Sequence, residues 1–493
     1  MIVNLKEKEN GLNTVILFLR SNDSLISIVV LNRAFNKRNQ PIPNTKRLIN
    51  KRLIHNFRKK LLTRFSSSIN QAETKISTAM ENDIDQASAL SDEYVKGLFN
   101  STKFKAEVGR SALNPKFAKY LSDKIFDVCA RPISSEGKQA IIRNLIEDAT
   151  QLMSRSSKRL NSDIKSGALK SLGIDENAVV DKMEPLGDES HNFGKIPLLI
   201  TFKDGKSIVY KPRSMTPEKV LCDKQTGLFA ELGFGTYDVV CRTDTDGQYG
   251  YAEFIQNKPE ENTVSSAGEV HDYLQKLCIL DKVGQQLGLS DLHYLNIITK
   301  NKEPFVIDAE VFLNPPGVET GIMDSQNGSA VMFDLSTGTI KQWNGKNRIW
   351  FDPSMETRGA FKNYMFDQDL SKIGIDRNKI HDQTSIAGSI MAKTQLAKEA
   401  LQEEKGRLVL IDTKSLKDSM LNIDPKAPET ANSLIDSIRE NIEGYEGFVF
   451  NDSAIPAIRE QIMIDAAHND IPTFYINSRT NEILYNGIVI GRK

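Results

Sequence analysis

Lys211, Asp291, Asn296 and Asp308 are the residue types that phosphoryl transfer requires, and they occur in a workable order. Such a site needs a cation on the nucleotide phosphates, magnesium held by carboxylates and an amide, and a group that positions the attacking hydroxyl. Lys211 ends an alternating strand, where a lysine can point at phosphates. Asp291 and Asn296 keep the five-residue offset of a kinase catalytic loop. Asp308 ends a predicted apolar strand 17 residues after Asp291, where a kinase places its metal-binding aspartate.

The segment Asp291-Leu292-His293-Tyr294-Leu295-Asn296 orders its polar residues as lipid-kinase-like loops do. His293 follows the aspartate by two positions, whereas histidine comes first in the HRD loop of protein kinases. Glu310 stands where protein kinases have the glycine of DFG. An ordinary polar loop, or a buried strand ending in aspartate, would explain each segment singly. Their order along the chain nevertheless predicts a kinase-like core.

Two further segments complete the predicted nucleotide site. Tyr249–Ile255 predicts the connecting strand whose backbone meets adenine, near Glu253 and Ile255. Residues 187–195 precede the lysine strand, and their glycines and short polar side chains suit close approach of backbone N–H groups to phosphate. This loop is neither a Walker A loop nor the kinase glycine-rich pattern. His191 therefore has two equal interpretations, a phosphate-loop residue or an exposed loop histidine.

The elements that must position these residues follow from apolar periodicity. Residues 75–171 have helical spacing, Asp204-Gly205 predicts a hairpin, and a helix is predicted over Val270–Leu287. Further helices are predicted over Ser385–Glu404 and Glu429–Tyr445. The predicted strands are Ile196–Phe202, Ser207–Tyr210, Thr236–Cys241, Tyr249–Ile255, Ile297–Thr299 and Phe305–Ile307. The predicted divisions are a basic segment 1–72, a helical subdomain 73–175, an N-lobe 176–262 and a C-lobe 263–493.

The composition excludes several classes of protein. The 493 residues carry a formal net charge of zero, so the whole molecule has no bias towards polyanions. Four widely spaced cysteines without a CxxC pair argue against a disulfide framework or a zinc site and favour a reducing compartment. No apolar run is long enough to span a bilayer, and no secretory signal is evident. We therefore expect a soluble, cytoplasmic enzyme, with export by a non-classical route left open.

The charge is unevenly distributed, because residues 25–72 contain no acidic residue and many basic ones between Arg33 and Arg64. One interpretation is a solvated helix face or an arm packed on acidic surface; another is a contact for nucleic acid, anionic lipid or an acidic peptide. Pro41 and Pro43 exclude one long basic helix. Sparse aromatics argue against a base-stacking platform, and so against nucleic acid.

The strings GDESHNFGK, VYKPRSM, YGYAEF, DLHYLN and FVIDAE resemble the dehydratase domain of class II lanthipeptide synthetases. The resemblance covers about Gly187 to Phe312 and returns near the C-terminus in Asn469–Phe474, which looks like the family's D-I-P-x-F segment. It implies an α+β fold, with a lipid-kinase-like bilobal kinase core, a helical N-terminal region and helical additions at the C-terminus. It also implies ATP and Mg²⁺ as cofactors, and a peptide whose Ser and Thr hydroxyls are phosphorylated before phosphate is eliminated.

Carried over residue by residue, the resemblance assigns a role to each candidate site residue. Lys211 would bind phosphates, Asp291 would act at the acceptor hydroxyl, and His293 would support the loop or the γ-phosphate. Asn296 and Asp308 would hold magnesium, beside the acid that Glu310 matches. His191 matches a histidine of the phosphate loop, and Glu189 or Asp188 would match the acid that precedes it.

The sequence also departs from the family. The elimination step of the family depends on an arginine and a threonine in an R-x-x-x-R-P-T-like segment, and we find no such segment in the region 400–465. The chain shows no zinc-binding cyclase residues before it ends at Lys493. The leading hypothesis is thus a stand-alone ATP- and Mg²⁺-dependent kinase of Ser or Thr in a peptide or protein. The alternatives are a full dehydratase with a separate cyclase, a lipid or small-molecule kinase, and a nucleotide-binding pseudokinase scaffold.

Overall fold

The structure is a computed structural model that describes residues 4–7, 14–21, 24–30, 67–80, 84–264, 267–292, 296–314, 320–322, 332–334, 339–341, 348–351, 388–402, 404, 406–477 and 479–493. The chain divides into two units, Met1–Gln71 and Ala72–Lys493. In the first unit, strands β1 (Asn4–Glu7), β2 (Thr14–Ser21) and β3 (Ser24–Val30) form an antiparallel sheet in that order. The basic residues from Arg33 to Arg64, for which an acidic or anionic partner was considered, lie outside the described residues.

Helices form the first part of the second unit, as the periodicity predicts. Side chains cap three of them: the Ser101 hydroxyl accepts from the Phe104 N–H, the Asn114 side chain accepts from the Phe117 N–H, and the Ser134 hydroxyl accepts from the Gly137 N–H. These caps fix where each helix begins after a turn. The helices are α1 (67–80), α2 (Ile84–Asn100), α3 (Thr102–Val108), α4 (Pro115–Ala130) and α5 (Ser135–Lys165).

An antiparallel sheet of five strands follows, and one of its strands ends at Lys211. Its spatial order is β4-β5-β6-β8-β7, and the strands are β4 (Val180–Pro185), β5 (Leu198–Phe202), β6 (Ser207–Lys211), β7 (Val239–Asp244) and β8 (Gly247–Glu253). The predicted hairpin turn joins β5 to β6, where Gly205 has φ +89°. Because successive side chains of a strand face opposite ways, Tyr210 and Lys211 lie on opposite faces. Two short helices, α6 (Thr216–Cys222) and α7 (Leu228–Glu231), separate β6 from β7.

A long helix and a hairpin carry the next predicted site residues. Helix α8 (Ala267–Leu287) is followed by β10 (Ile297–Lys300) and β11 (Glu303–Val306), which pair antiparallel. A separate sheet has the order β12-β13-β14-β9. Its strands are β9 (Thr263–Val264), β12 (Met332–Asp334), β13 (Thr339–Lys341) and β14 (Arg348–Phe351).

In the described residues from 388 to 493, four helices combine with a sheet of five short strands. Two of its helices match predictions from the sequence, and the sheet was not predicted. The helices are α9 (Gly388–Leu401), α10 (Thr413–Leu421), α11 (Asn432–Gly444) and α12 (Ile455–Ala467). The sheet has the order β15-β17-β18-β19-β16, with β15 (Gly406–Leu408), β16 (Val449–Phe450), β17 (Phe474–Asn477), β18 (Glu482–Tyr485) and β19 (Ile488–Arg492).

One hydrophobic cluster joins the lysine sheet to these later elements. It includes Leu221 from α6, Leu277 from α8, Val306 from β11 and Ile462 from α12, all buried. The mixture of helices with mainly antiparallel sheets is an α+β fold, as predicted; a bilobal kinase core stays a prediction. None of the helices in the described ranges combines the length and apolar character needed to cross a membrane.

Candidate active site

Lys211 lies at the end of β6 and is buried, with 5% of its surface exposed. Its Nζ donates to Glu218 Oε1, Asp308 Oδ1 and the Ile307 carbonyl oxygen, each at 3.0 Å. Burial alone would lower the pKa of Lys211, but the carboxylates of Asp308 and Glu218 raise it above its usual value. The lysine is therefore charged, and it touches the aspartate that the sequence predicts as a metal ligand.

Glu218 lies in the first turn of α6 and is fully buried. It accepts from Lys211 at 3.0 Å and from Arg213 Nη2 at 2.6 Å. Burial alone would raise its pKa, yet Arg213 and Lys211 lower it to about 2. The carboxylate is therefore ionised at neutral pH, and it holds Lys211 together with Asp308.

Two arginines converge on Glu310. Arg213 Nε lies 2.5 Å from Glu310 Oε2, and its Nη2 lies 2.6 Å from Asp308 Oδ1. Arg407 in β15 donates Nη1 to Glu310 Oε1. The pKa of Glu310 is lowered despite its burial, because Arg213 and Arg407 favour the carboxylate. Lys211, Arg213 and Arg407 thus face Glu218, Asp308 and Glu310 in a partly buried cluster of balanced charge.

His191 joins the loop 187–195 to this cluster. Its Nδ1 lies 2.8 Å from the carbonyl oxygen of Ile471, and its Nε2 lies 3.3 Å from Arg407 Nη2. A carbonyl oxygen only accepts and a guanidinium only donates, so both contacts fit a neutral ring protonated at Nδ1. Burial and the neighbouring Arg407 lower the pKa of His191, in agreement with that tautomer. The histidine is thus half-buried and held in place, so the interpretation as an exposed loop histidine is wrong, and a phosphate-loop role stays a prediction.

The two acids before His191 face a helix on the other side of the loop. Lys417 in α10 lies 2.8 Å from Glu189 Oε1 and 3.5 Å from Asp188 Oδ2. Both acids are thus within reach of the same lysine. The choice between them as the match to the family's acid stays open.

Asp291 and Asn296 contact each other directly. Asn296 Nδ2 donates to the Asp291 carbonyl oxygen at 2.8 Å and to Asp291 Oδ2 at 3.3 Å. Asp291 has φ +62°, a left-handed conformation that non-glycine residues adopt at functional sites when their surroundings enforce it. The Ile307 N–H donates to the Asn296 carbonyl oxygen at 2.9 Å, which places this loop beside the residue that precedes Asp308. His293 lies outside the described residues.

The donor chemistry near Asp308 fits a magnesium ion held partly by the protein. Mg²⁺ takes oxygen ligands and usually binds one or two carboxylates together with substrate phosphates. Asp308 offers a carboxylate, and Asn296 keeps an amide oxygen while its Nδ2 faces Asp291. Both Glu310 oxygens accept from arginines, so its role as a ligand stays a prediction. Within the described ranges, no three His, Cys, Asp or Glu side chains are arranged to hold a metal by themselves.

The predicted adenine-binding strand is β8 and the residues just after it. Glu253 ends β8, where its N–H donates to the Asp238 carbonyl oxygen and its carboxylate lies 3.2 Å from Lys300 Nζ. The Ile255 side chain is buried in the hydrophobic cluster. The backbone after β8 leads towards α8, as expected for a connecting segment, and contact of either residue with a nucleotide stays a prediction.

Three members of the charged cluster were missed in the sequence. Arg213 lies inside the string VYKPRSM, two residues after the lysine, which is the same-face spacing of an extended chain. Glu218 is an isolated acid near a helix start, after Pro217, where an acid is common for helix-dipole reasons alone. Arg407 comes 97 residues after Glu310, so no local pattern reveals the contact.

Comparisons with known proteins point in one direction. Residues 139–342 match the family described as "Domain of unknown function (DUF4135)". Over 232 residues, 45% of this chain, the sequence is 26% identical to the Lacticin 481/lactococcin biosynthesis protein LcnDR2 of Lactococcus lactis subsp. lactis. The match covers 24% of that relative's length, so the chain corresponds to about a quarter of it. The resemblance found in the sequence is confirmed: this chain is lanthipeptide synthetase-like.

Proposed function

We propose that the chain is a peptide-modifying enzyme that transfers a phosphoryl group from ATP, with Mg²⁺, to Ser or Thr hydroxyls of a peptide. The observation that carries this proposal is the contact of Lys211 with both Asp308 and Glu218, each at 3.0 Å. A lysine that ends a strand and pairs with a glutamate on the following helix is a requirement of active protein kinases. The relative's role in lacticin 481/lactococcin biosynthesis supports a peptide as the substrate.

Each residue of the cluster has a task in this reaction. When bound, ATP would supply the phosphoryl group, and magnesium would offset its charge. Asp291 would accept the proton of the Ser or Thr hydroxyl. The oxygen of that hydroxyl would bond to the γ-phosphorus while the bond between the γ-phosphorus and the oxygen that leaves with ADP breaks. Lys211 and Arg213 would donate to phosphate oxygens, while Asn296 and Asp308 would supply oxygen ligands to the magnesium ion. Glu218 and Glu310 hold the cations in position between turnovers.

The test is incubation of the chain with labelled ATP, Mg²⁺ and a Ser- and Thr-containing precursor peptide, comparing wild type with Asp291→Asn. We expect label on the peptide with wild type and a loss of at least about a hundredfold in the variant, a typical contribution of a positioned proton acceptor. Equal background labelling of the peptide by wild type and Asp291→Asn would refute the proposed enzymatic activity. Label on a lipid or a small alcohol instead of the peptide would replace the proposed substrate, and nucleotide binding without transfer would indicate a pseudokinase.

A second candidate, elimination of the phosphate after its transfer, is favoured by the position of Arg407. This arginine touches Glu310 and His191 inside the site. It precedes Thr413 by six residues, the offset between the first arginine and the threonine of the family's R-x-x-x-R-P-T segment, although Ile411 and Asp412 stand in place of the second arginine and the proline. Thr413 begins α10, which carries Lys417 one turn later beside the loop 187–195.

In such an elimination the Cα proton leaves to a base, the bond from Cβ to the phosphate oxygen breaks, and a carbon–carbon double bond forms. Mass spectrometry separates the outcomes, because a retained phosphate adds about 80 Da and net dehydration removes about 18 Da per hydroxyl. We expect Arg407→Lys, which keeps the charge but loses the two-pronged geometry, to accumulate phosphopeptide. Phosphopeptide as the final product of wild type would refute elimination and leave the transfer step intact.

A further inference from the structure

The tip of the loop 187–195 has an unusual backbone. Asn192, Phe193 and Gly194 have φ of +49°, +68° and +68°, three left-handed residues in succession. Glycine adopts this conformation freely, but for a bulky residue such as phenylalanine it is an outlier. The flanking residues His191 and Lys195 close the turn by exchanging backbone hydrogen bonds at 3.2 and 2.9 Å. Some contact outside the turn must therefore offset the strain at Phe193.

That contact is the carboxylate of Asp470, which is buried with 2% of its surface exposed. The Phe193 N–H donates to Asp470 Oδ2 at 2.5 Å, and the Gly194 N–H donates to both oxygens at 3.1 and 3.2 Å. Successive N–H groups that point into one concavity form an anion site. Here the chain itself supplies the anion, so these two N–H groups are not the ones that would meet a phosphate.

The same C-terminal segment holds the start of the turn. The Ser190 hydroxyl donates to the Asn469 carbonyl oxygen at 3.1 Å, and the Ile471 N–H donates to the Ser190 carbonyl oxygen at 2.9 Å. The Ile471 carbonyl oxygen in turn contacts His191 Nδ1, as described above. The chain from Ser190 to Gly194 is therefore fixed at both ends by residues about 280 positions later. His191, which faces Arg407, lies between these two fixed points.

We propose that Asp470 is a positioning residue, whose carboxylate holds the strained Phe193–Gly194 turn and thereby keeps His191 against Arg407 in the phosphate-handling cluster. Asp470 touches no reacting atom; it acts through the loop. Both of its oxygens are used by N–H donors, which is why an amide of the same shape cannot replace it: an amide keeps one acceptor and turns a second donor towards the Gly194 N–H. The kinetic consequence rests on the proposed phosphotransfer, whereas the structural consequence does not.

The structural consequence is measured by hydrogen–deuterium exchange of the full chain, followed by mass spectrometry of peptides that cover 189–195. We expect Asp470→Asn to speed exchange at the Phe193 and Gly194 amides at least tenfold. The matched control is Asp465→Asn, the same change at a buried carboxylate five residues earlier that bonds to Tyr485 and not to the loop. The control should leave exchange in the loop unchanged. Equal protection of the loop in Asp470→Asn and wild type would overturn the proposal.

A second variant approaches the contact from the loop side. Phe193 is more than half exposed, so Phe193→Pro should leave the core folded while removing the N–H and excluding the positive φ. We expect the same rise in exchange at Gly194. If Asp470→Asn does not fold, Phe193→Pro alone decides the matter. Unchanged protection at Gly194 in that variant refutes the positioning role.

The kinetic measurement separates positioning from general stability. We expect Asp470→Asn and Phe193→Pro to lower kcat/KM for ATP at least tenfold when each variant is assayed well below its own thermal midpoint, with Asp465→Asn within threefold of wild type. A loss of activity that is equal in Asp470→Asn and Asp465→Asn would refute a specific role. If wild type transfers no phosphate at all, the proposed function fails, and the exchange experiment still decides whether Asp470 holds the loop.

Discussion

Replacing Glu218 with glutamine tests whether the charged cluster is a balanced, buried unit. The substitution keeps the size of the side chain and removes one of three carboxylates that face three cations. Glu218 is fully buried, and its pKa is about 2 instead of the usual 4.5. Because one pKa unit corresponds to about 1.4 kcal/mol, this shift of 2.5 units corresponds to about 3 kcal/mol of stabilisation at pH 7. The loss expected when one partner of a buried ion pair is removed is of the same order, about 3–5 kcal/mol.

The pH dependence has a definite sign. A carboxylate whose pKa is lower in the folded protein than in the unfolded chain stabilises the fold above the unfolded value and loses that effect as the pH falls. The contribution of Glu218 is therefore complete above pH 4.5 and decreases from there towards pH 2. The difference between wild type and Glu218→Gln should be largest at pH 7 and shrink below pH 4.5.

The assay is urea unfolding of both proteins, followed by circular dichroism at several pH values. Glu176→Gln is the matched control, because Glu176 pairs with Lys170 on the surface and should matter little to stability. A destabilisation of less than about 1 kcal/mol at pH 7 would refute the idea of a tightly coupled buried network, since an exposed pair reaches only that magnitude. A difference that does not shrink with acid would show that Glu218 acts by shape and not by charge.

Three further predictions concern packing and buried charge. Gly406→Ala should destabilise the protein by about 1–3 kcal/mol, because a Cβ there would lie 2.1 Å from the backbone oxygen of Phe312. Gly444→Ala, whose Cβ would meet no atom within 4 Å, should not destabilise it, and thermal denaturation compares the two variants. Burial raises the pKa of Asp465 to about 6. The folded protein thus holds a proton that the unfolded chain releases above pH 4, so this acid should lower stability as the pH rises from 4 to 6, and urea unfolding of Asp465→Asn should show a smaller decline. Arg159→Lys should lower the free energy of unfolding in urea by about 2 kcal/mol, because a lysine cannot reproduce the bidentate hydrogen bonds of Arg159 to Asp244 at 2.6 and 2.7 Å.

The contact between Lys211 and Asp308 could be predicted from the sequence, although 97 residues separate the two. Lys211 ends β6 and Asp308 follows the end of β11 by two residues, and a strand end is where a side chain can leave the sheet towards a shared site. Asp291 and Asn296 were predictable for a different reason, since a fixed offset within one loop needs no knowledge of the rest of the fold. Strand periodicity and the spacing of residues along the chain were enough to predict these two pairs.

The roles of the two arginines, and of Asp470 as the residue that holds the loop 187–195, could not be predicted in this way. Arg407 reaches the site from a strand of only three residues, too short for alternation to be recognised. The sheet that contains it was missed because its strands run for two to five residues each. Asp470 lies in a segment noted for its resemblance, but the reason for an acid there is the positive φ of Phe193, a backbone property that sequence pattern does not reveal.

The identity of residue 310 follows from the same charge balance. Protein kinases have a glycine at the corresponding position of DFG, and a glycine here would leave Arg213 and Arg407 with one carboxylate fewer in a partly buried setting. A guanidinium that loses its partner away from bulk water is destabilised. The acid at this position therefore belongs with the two arginines, and the departure from DFG is matched by the two cations that Glu310 pairs with.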